Sequence, residues 1–250
     1  MFIKNIIKIA RTIFGIYAII IFLVCLIISF CCYIIIFTFA NERKAPFIAH
    51  KLISRPWSRA LFIFYGIRLI VKNKELLDPA QTYVFIANHR SLLDIPTYAL
   101  ATNHTIRFLS KVELTKIPLL GYIISRLYVT VDRKDKAARA RSMDNMINSI
   151  KEGISVFICP EGTRNKGKGP LLPFHDGAFR LAIQSQVPLA VLVLKNTDKL
   201  LSPIRPIELS PGKIICQWCK PIPTLGMTQD DLPALKEAVI KKMLEYLPPF

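Results

Sequence analysis

The sequence predicts an α/β domain on a mixed sheet flanked by helices, with an N-terminal membrane helix segment ahead of it. Three observations carry that prediction. Short apolar runs, each ending at polar residues, alternate along the chain with stretches of helical spacing. No charged residue occurs from Thr12 to Asn41. Mean hydropathy is positive, and the first fifth of the chain supplies much of it.

The chain opens on Lys4, Lys8 and Arg11 at i, i+4, i+7, with Ile3, Ile6, Ile7 and Ala10 on the other helix face. Such a basic amphipathic helix suits the headgroup region, and it equally serves as the charged flank of a membrane span. As a helix, the uncharged run that follows would measure about 45 Å, against roughly 30 Å of hydrocarbon. It fits one tilted span, or two helices half-buried in one leaflet. Its length and the lack of a small-x-small site argue against a signal peptide. Arg43, Lys44, Lys51, Arg55 and Arg59 follow with Trp57, so the downstream flank is the more basic. That bias favours a cytoplasmic position for the remainder. The expected division is a membrane-anchoring segment over 1–56 and one cored domain over 57–250.

Within that domain, Tyr83–Ala87, Ile106–Leu109, Tyr128–Val131, Ile154–Cys159 and Leu189–Leu194 read as buried strands. Between Asp135 and Glu152, Met143, Met146, Ile147 and Ile150 recur at helical spacing, and Gly153 stops the helix. Ala178 to Ser185 is a second helix. A hairpin-like pair is expected near Pro206–Leu209 and Lys213–Trp218. A last helix runs from about Gln229 to Leu247, capped by Thr228 with Asp231 three residues on. The loop from Asn165 to Pro170 is expected to be mobile.

Net charge is +17, from 34 basic and 17 acidic residues. Nucleic acid and anionic lipid both fit that sign. The apolar N-terminus, and the lack of a zinc finger or a heptad after a basic run, point to an anionic membrane surface and not to nucleic acid. Cys216 and Cys219 form a C-x-x-C without a second Cys or His pair, so they read as ordinary strand residues.

Chemistry concentrates in three places. His89 and Asp94 are five apart, which turns a helix through about 140° net. They meet only if His89 ends the strand and Asp94 sits in the next helix. The pair then makes a base and its orienter. With 4 His and 17 acidic residues, about one chain in four would show this spacing by chance. Position strengthens it, because active sites gather at the carboxyl ends of strands. Ser91 reads as a helix cap. In Cys159-Pro160-Glu161-Gly162-Thr163-Arg164, Gly162 permits close approach, Thr163 and Arg164 offer donors, and the Arg fork matches phosphate. The alternative is a tight turn with a solvated Glu–Arg pair. Arg133 closes a third strand and opens a cluster with Lys134, Lys136, Arg139 and Arg141; it is a phosphate anchor or part of a solvated helix face.

Taken in order, these runs resemble the 1-acylglycerol-3-phosphate acyltransferase family. Its N-H-x-S-x-x-D block matches Asn88 to Asp94, its D-R block Tyr128 to Arg133, its F-P-E-G-T-R block Cys159 to Arg164, and its apolar Val-Pro block Val187 to Val191. The likeness covers about Trp57 to Pro223. Cys159 stands where Phe is usual, Asn165 where Ser is frequent, and His175 where a Lys is common. The resemblance implies that His89, oriented by Asp94, deprotonates the sn-2 hydroxyl of lysophosphatidate. That oxygen then attacks the thioester of acyl-CoA or an acyl-carrier protein, without metal, redox cofactor or covalent enzyme intermediate. It implies that Arg133, Thr163 and Arg164 hold the phosphate, that Glu161 and Gly162 shape that site, and that Lys111 is a further candidate. Alternatives are an enzyme of the same fold using another lyso-lipid such as lyso-ornithine lipid, a non-catalytic lipid-binding membrane protein, and a His-dependent phosphatase.

Overall fold

The computed structural model describes residues 2–247; within these, the side chains of Phe2 and Lys4 are not described, so the Lys4 part of the expected basic face lies outside it. The chain starts with one unbroken helix, α1 (Phe2–Phe39), then α2 (Ala45–Ala49) and α3 (Arg55–Phe64). The strands and helices alternate thereafter: β1 (Ile67–Lys72), β2 (Val84–Ala87), α4 (Asp94–Ala101), β3 (Ile106–Lys111), α5 (Leu120–Leu127), β4 (Val129–Val131), α6 (Lys136–Lys151), β5 (Ser155–Ile158), α7 (Gly177–Ser185), β6 (Leu189–Lys195), α8 (Thr197–Leu200), β7 (Gly212–Trp218) and α9 (Leu232–Tyr246).

One seven-stranded sheet has the order β1-β7-β6-β2-β5-β3-β4. Neighbours pair in parallel except β6 with β7. The sheet is therefore mixed, as the sequence predicts. The central strands are buried on both faces, which is why they read as continuous apolar runs. Val84 and Ile86 join the core under α6, α7 and α9, while Phe85 and Ala87 point to the opposite face against Tyr98, Phe157 and Trp218. At the chain's end, the Thr228–Asp231 capping box forms as expected, but it caps a short turn before α9.

The expected hairpin is corrected. Lys213–Trp218 is a strand, but it pairs antiparallel with β6 and parallel with β1. Pro206–Leu209 is not a strand; within it, Leu209 makes a single bridge to Leu201. β1 and helices α2, α3, α5 and α8 are elements that the sequence pattern does not announce.

Contacts to the domain run along most of α1. Its buried positions, Gly15, Ala18, Leu26, Ser29 and Tyr33, share one flank. The expectation that Arg11 faces headgroups is corrected: its Nη2 donates to the carbonyls of Lys199, Leu200 and Glu208. One turn on, a Cβ on Gly15 would overlap the Ile207 backbone, so only glycine permits this approach. Toward the other end, Tyr33 hydrogen-bonds Ser54 at 2.8 Å, and Phe30 and Phe37 pack on Tyr122 of α5. The opposite flank exposes Ile13, Ile16, Ile20, Leu23, Ile27 and Ile35.

Candidate active site

Because β2, β3, β4 and β5 run parallel, their carboxyl ends open on the same edge of the sheet, where ligands bind in such folds. β2 leads into Asn88-His89, β5 into Cys159–Arg164, β4 into Arg133, and β3 ends at Lys111, opposite Val131 in the register.

The loop after β2 is held by its backbone. The Asn88 amide extends the ladder onto β6, donating to Leu194 O at 3.0 Å and accepting from Leu194 N at 2.8 Å. Tyr98 donates to Asn88 O at 2.7 Å. His89 N donates to Glu161 Oε1 at 2.8 Å, and His89 O accepts from Asn165 N at 2.7 Å. The loops after β2 and β5 are thus stitched together on both sides of His89.

Asp94 is the first residue of α4 and fully buried. Its Oδ2 lies 2.8 Å from His89 Nδ1 and accepts from Arg90 N and Ser91 N, each at 2.7 Å. The carboxylate is therefore fixed by the loop it orients, with the positive end of the α4 dipole beneath it. A carboxylate is acceptor-only, so Nδ1 carries the proton and Nε2 is the free base. The His89 side chain remains 17% exposed, enough to reach a substrate. Ser91 does not cap α4. Its hydroxyl donates to Leu201 O at 2.8 Å and accepts from Leu93 N, tying the loop to the chain after β6.

Glu161 is buried, and both its oxygens are taken up by backbone amides, His89 N and Leu172 N. Burial pushes its pKa up from the ordinary carboxylate value; the two backbone amides and the nearby Arg90 charge work against that. Its role in this geometry is to brace the loops. The next residue, Gly162, has φ +70°, and its carbonyl accepts from Arg133 Nη1. Exposed Thr163 and half-buried Arg164 follow; the Arg164 guanidinium and the Lys111 amine have no hydrogen bond or ion pair among the described residues. His175, whose N donates to Pro160 O, places its ring over Gly162. Beneath the dyad, burial pushes the Cys159 thiol up to about 12, so it is no nucleophile at neutral pH.

The structure shows what anchors the loop from Asn165 to Pro170, whose residues 166–169 are exposed. Asn165 is fully buried, its amide bonding Gly167 N and Gly169 O. Arg90 donates to Gly167 O and Gly169 O while pairing with Asp198 at 2.9 Å. Arg90 and Asn88 are thus positioning residues, and no local sequence signal marks either role.

Comparison with known proteins agrees with this geometry. The acyltransferase family model matches residues 68–195, half of the chain and all of the motif loops. The chain belongs to this acyltransferase family. Among its relatives are mouse 1-acyl-sn-glycerol-3-phosphate acyltransferase alpha, 32% identical over 72% of this chain and 64% of the relative, and the human beta enzyme, 32% identical over 74% and 66%. The chain thus spans just under two thirds of those proteins' length. The Haemophilus influenzae enzyme of the same name is 28% identical over 70% of this chain and 72% of its own. The acyltransferase fold is shared with the crystal structure of the 1-acyl-sn-glycerophosphate (LPA) acyltransferase PlsC from Thermotoga maritima, with TM-score 0.78, 22% identity and coverage of 97% of this chain and 99% of that one.

Proposed function

We propose that this protein transfers an acyl chain from an acyl thioester, on CoA or an acyl-carrier protein, to the sn-2 hydroxyl of 1-acylglycerol-3-phosphate, giving phosphatidate. The observation that carries the reading is the His89–Asp94 pair, with Nε2 left for a substrate, on a loop bonded to the residue after Arg164, whose guanidinium has no partner among the described residues. His89 Nε2 takes the hydroxyl proton as the oxygen attacks the thioester carbonyl. The C–O bond forms, the C–S bond breaks, and the imidazolium returns its proton to the thiolate. Buried Asp94 stabilises the transient imidazolium and fixes the tautomer. Arg164, Thr163, Arg133 and Lys111 hold the phosphate, while Glu161 and Gly162 shape the turn that presents it.

Residues 1–56 act as the membrane-anchoring segment and 57–250 as the transferase domain. The flank contacts of α1, from Arg11 to Phe37, support a helix lying along the domain with its apolar flank in one leaflet, because a helix crossing the bilayer away from the domain would leave those contacts. The basic residues after α1 support a cytoplasmic placement. Purified full-length protein, given lysophosphatidate and each donor type with His89→Ala as control, tests the reaction. A lyso-lipid panel that shows turnover only with other headgroups overturns the acceptor.

A further inference from the structure

Away from the catalytic edge lies a polar cavity of about 440 Å³ between β3, β4, α5 and α6. Its cations are Arg107 and Arg126, joined by the amides of Asn145 and Asn148 and the hydroxyls of Ser125 and Ser149. Arg107 lies four residues before Lys111 on β3, about 13 Å of strand from it, and the lining residue nearest the catalytic loops in sequence, Thr130, stands three residues before Arg133. Its Nη1 reaches Ser149 Oγ at 3.4 Å, and its Nη2 reaches the Glu152 carboxylate only at 3.8 Å. The Arg107 Nε is buried without a partner among the described residues, although a buried donor ordinarily has one. Arg126 lies over the Tyr122 ring at 5.8 Å, leaving its N–H donors for something else.

Location narrows the ligand. Tyr122 packs on Phe30 and Phe37, so the cavity flanks the last third of lipid-facing α1. A second cavity of about 360 Å³ shares Glu152 and adds Lys151 at the end of α6, with Arg43 and exposed Phe47 on the chain that leaves α1. Against four cations in the two cavities stands one lining carboxylate, Glu152, shared by both and itself half-exposed. Arginine forks, amides and hydroxyls match phosphate oxygens and the polyol beside them.

We propose that this cavity is a second binding site, for the phosphate headgroup of an anionic glycerophospholipid whose tails stay in the leaflet against α1. It rests on the lipid-facing reading of α1 and is independent of acyl transfer. The test is binding of soluble dihexanoyl phosphatidylglycerol to the full-length protein in neutral detergent, by calorimetry. Dihexanoyl phosphatidylcholine and inorganic phosphate are parallel ligands. Arg107→Gln with Arg126→Gln should weaken phosphatidylglycerol binding by roughly tenfold or more, since two charge-assisted contacts are lost. Asn148→Asp should weaken it through repulsion alone. Arg164→Ala should leave it unchanged, and thioester turnover by the double variant should stay at the wild-type level. Unweakened binding in the double variant, or loss of binding in Arg164→Ala, overturns the site. Equal binding of phosphatidylcholine overturns the charge recognition, and equal binding of inorganic phosphate overturns the lipid as its source.

Discussion

Asp94 Oδ2 meets His89 Nδ1 at 2.8 Å while the same atom accepts the backbone N–H groups of Arg90 and Ser91. The carboxylate therefore serves two masters, the imidazole and the loop that carries it. Asp94→Asn separates these poorly, because one atom serves both: an amide whose oxygen takes that place keeps the contacts but lacks the charge, and one whose NH2 takes it faces Nδ1 with a donor, holds the wrong tautomer of His89 and leaves the two N–H groups without their acceptor. Turnover should fall on the order of 10³–10⁴-fold. The displaced N–H donors should cost about 1–3 kcal/mol of stability. Thiol release from the acyl donor measures the first and thermal unfolding the second. Activity within tenfold of wild type would count against the dyad.

His89→Ala behaves differently. What the loop needs from His89 is its backbone, N to Glu161 and O from Asn165, and both survive the substitution. Turnover should drop by about 10²–10⁴-fold, the contribution of a positioned base. The unfolding temperature should stay within a few degrees of wild type. A large loss of stability would mean that the imidazole is structural.

Glu161 gives a pH signature. Its folded pKa is raised, so the native state holds its proton where the unfolded chain, with the ordinary value of 4.5, has released it. Stability due to this group is then present below 4.5 and falls as pH rises through the raised folded pKa. The amide of a Glu161→Gln variant does not titrate. The difference in unfolding temperature, wild type minus Glu161→Gln, should decrease as pH rises across that window. A flat or rising difference, measured by calorimetry, contradicts the raised pKa.

Arg164 should show itself in KM. Its side chain has no partner among the described residues, so removing it breaks no native bond there. Arg164→Ala should raise KM for lysophosphatidate by roughly 10- to 100-fold, the value of a charge-assisted contact of about 1.5–3 kcal/mol. Unfolding should be unchanged. Arg164→Lys should recover part of the loss, because it restores charge without the fork. An unchanged KM in Arg164→Ala would move the phosphate site elsewhere.

How far the sequence can be read follows from what each residue faces. β2 and β5 are buried on both sides, so composition alone reveals them; β1 is an edge strand with a mostly half-exposed pattern and does not stand out. His89 and Asp94 are legible because strand-end placement allows a five-residue gap to close. The brace of Glu161 is not, since nothing near it tells a carboxylate bound for backbone amides from one bound for substrate. Arg11 misleads for the same reason, and the anchors of the Asn165–Pro170 loop stay hidden for it. Their partners, the carbonyls of residues 199–208 and the Arg90 side chain, are distant in sequence.

Gly162 joins conformation to chemistry. At φ +70° a side chain is strained wherever it points. A Cβ here would also lie 2.8 Å from the His175 ring and 2.9 Å from Arg133 Nη1. Gly162→Ala must therefore either open the turn or push both side chains off it. The backbone penalty alone is about 1–2 kcal/mol. Pushing Arg133 away also frees the Gly162 carbonyl that it binds. The expected outcome is a modest drop in unfolding temperature together with a KM increase for lysophosphatidate and a smaller change in kcat, because His89 and Asp94 are held by other bonds. Steady-state kinetics on Gly162→Ala decides it. A loss confined to kcat would place the turn against the reacting carbonyl and take the phosphate away from it.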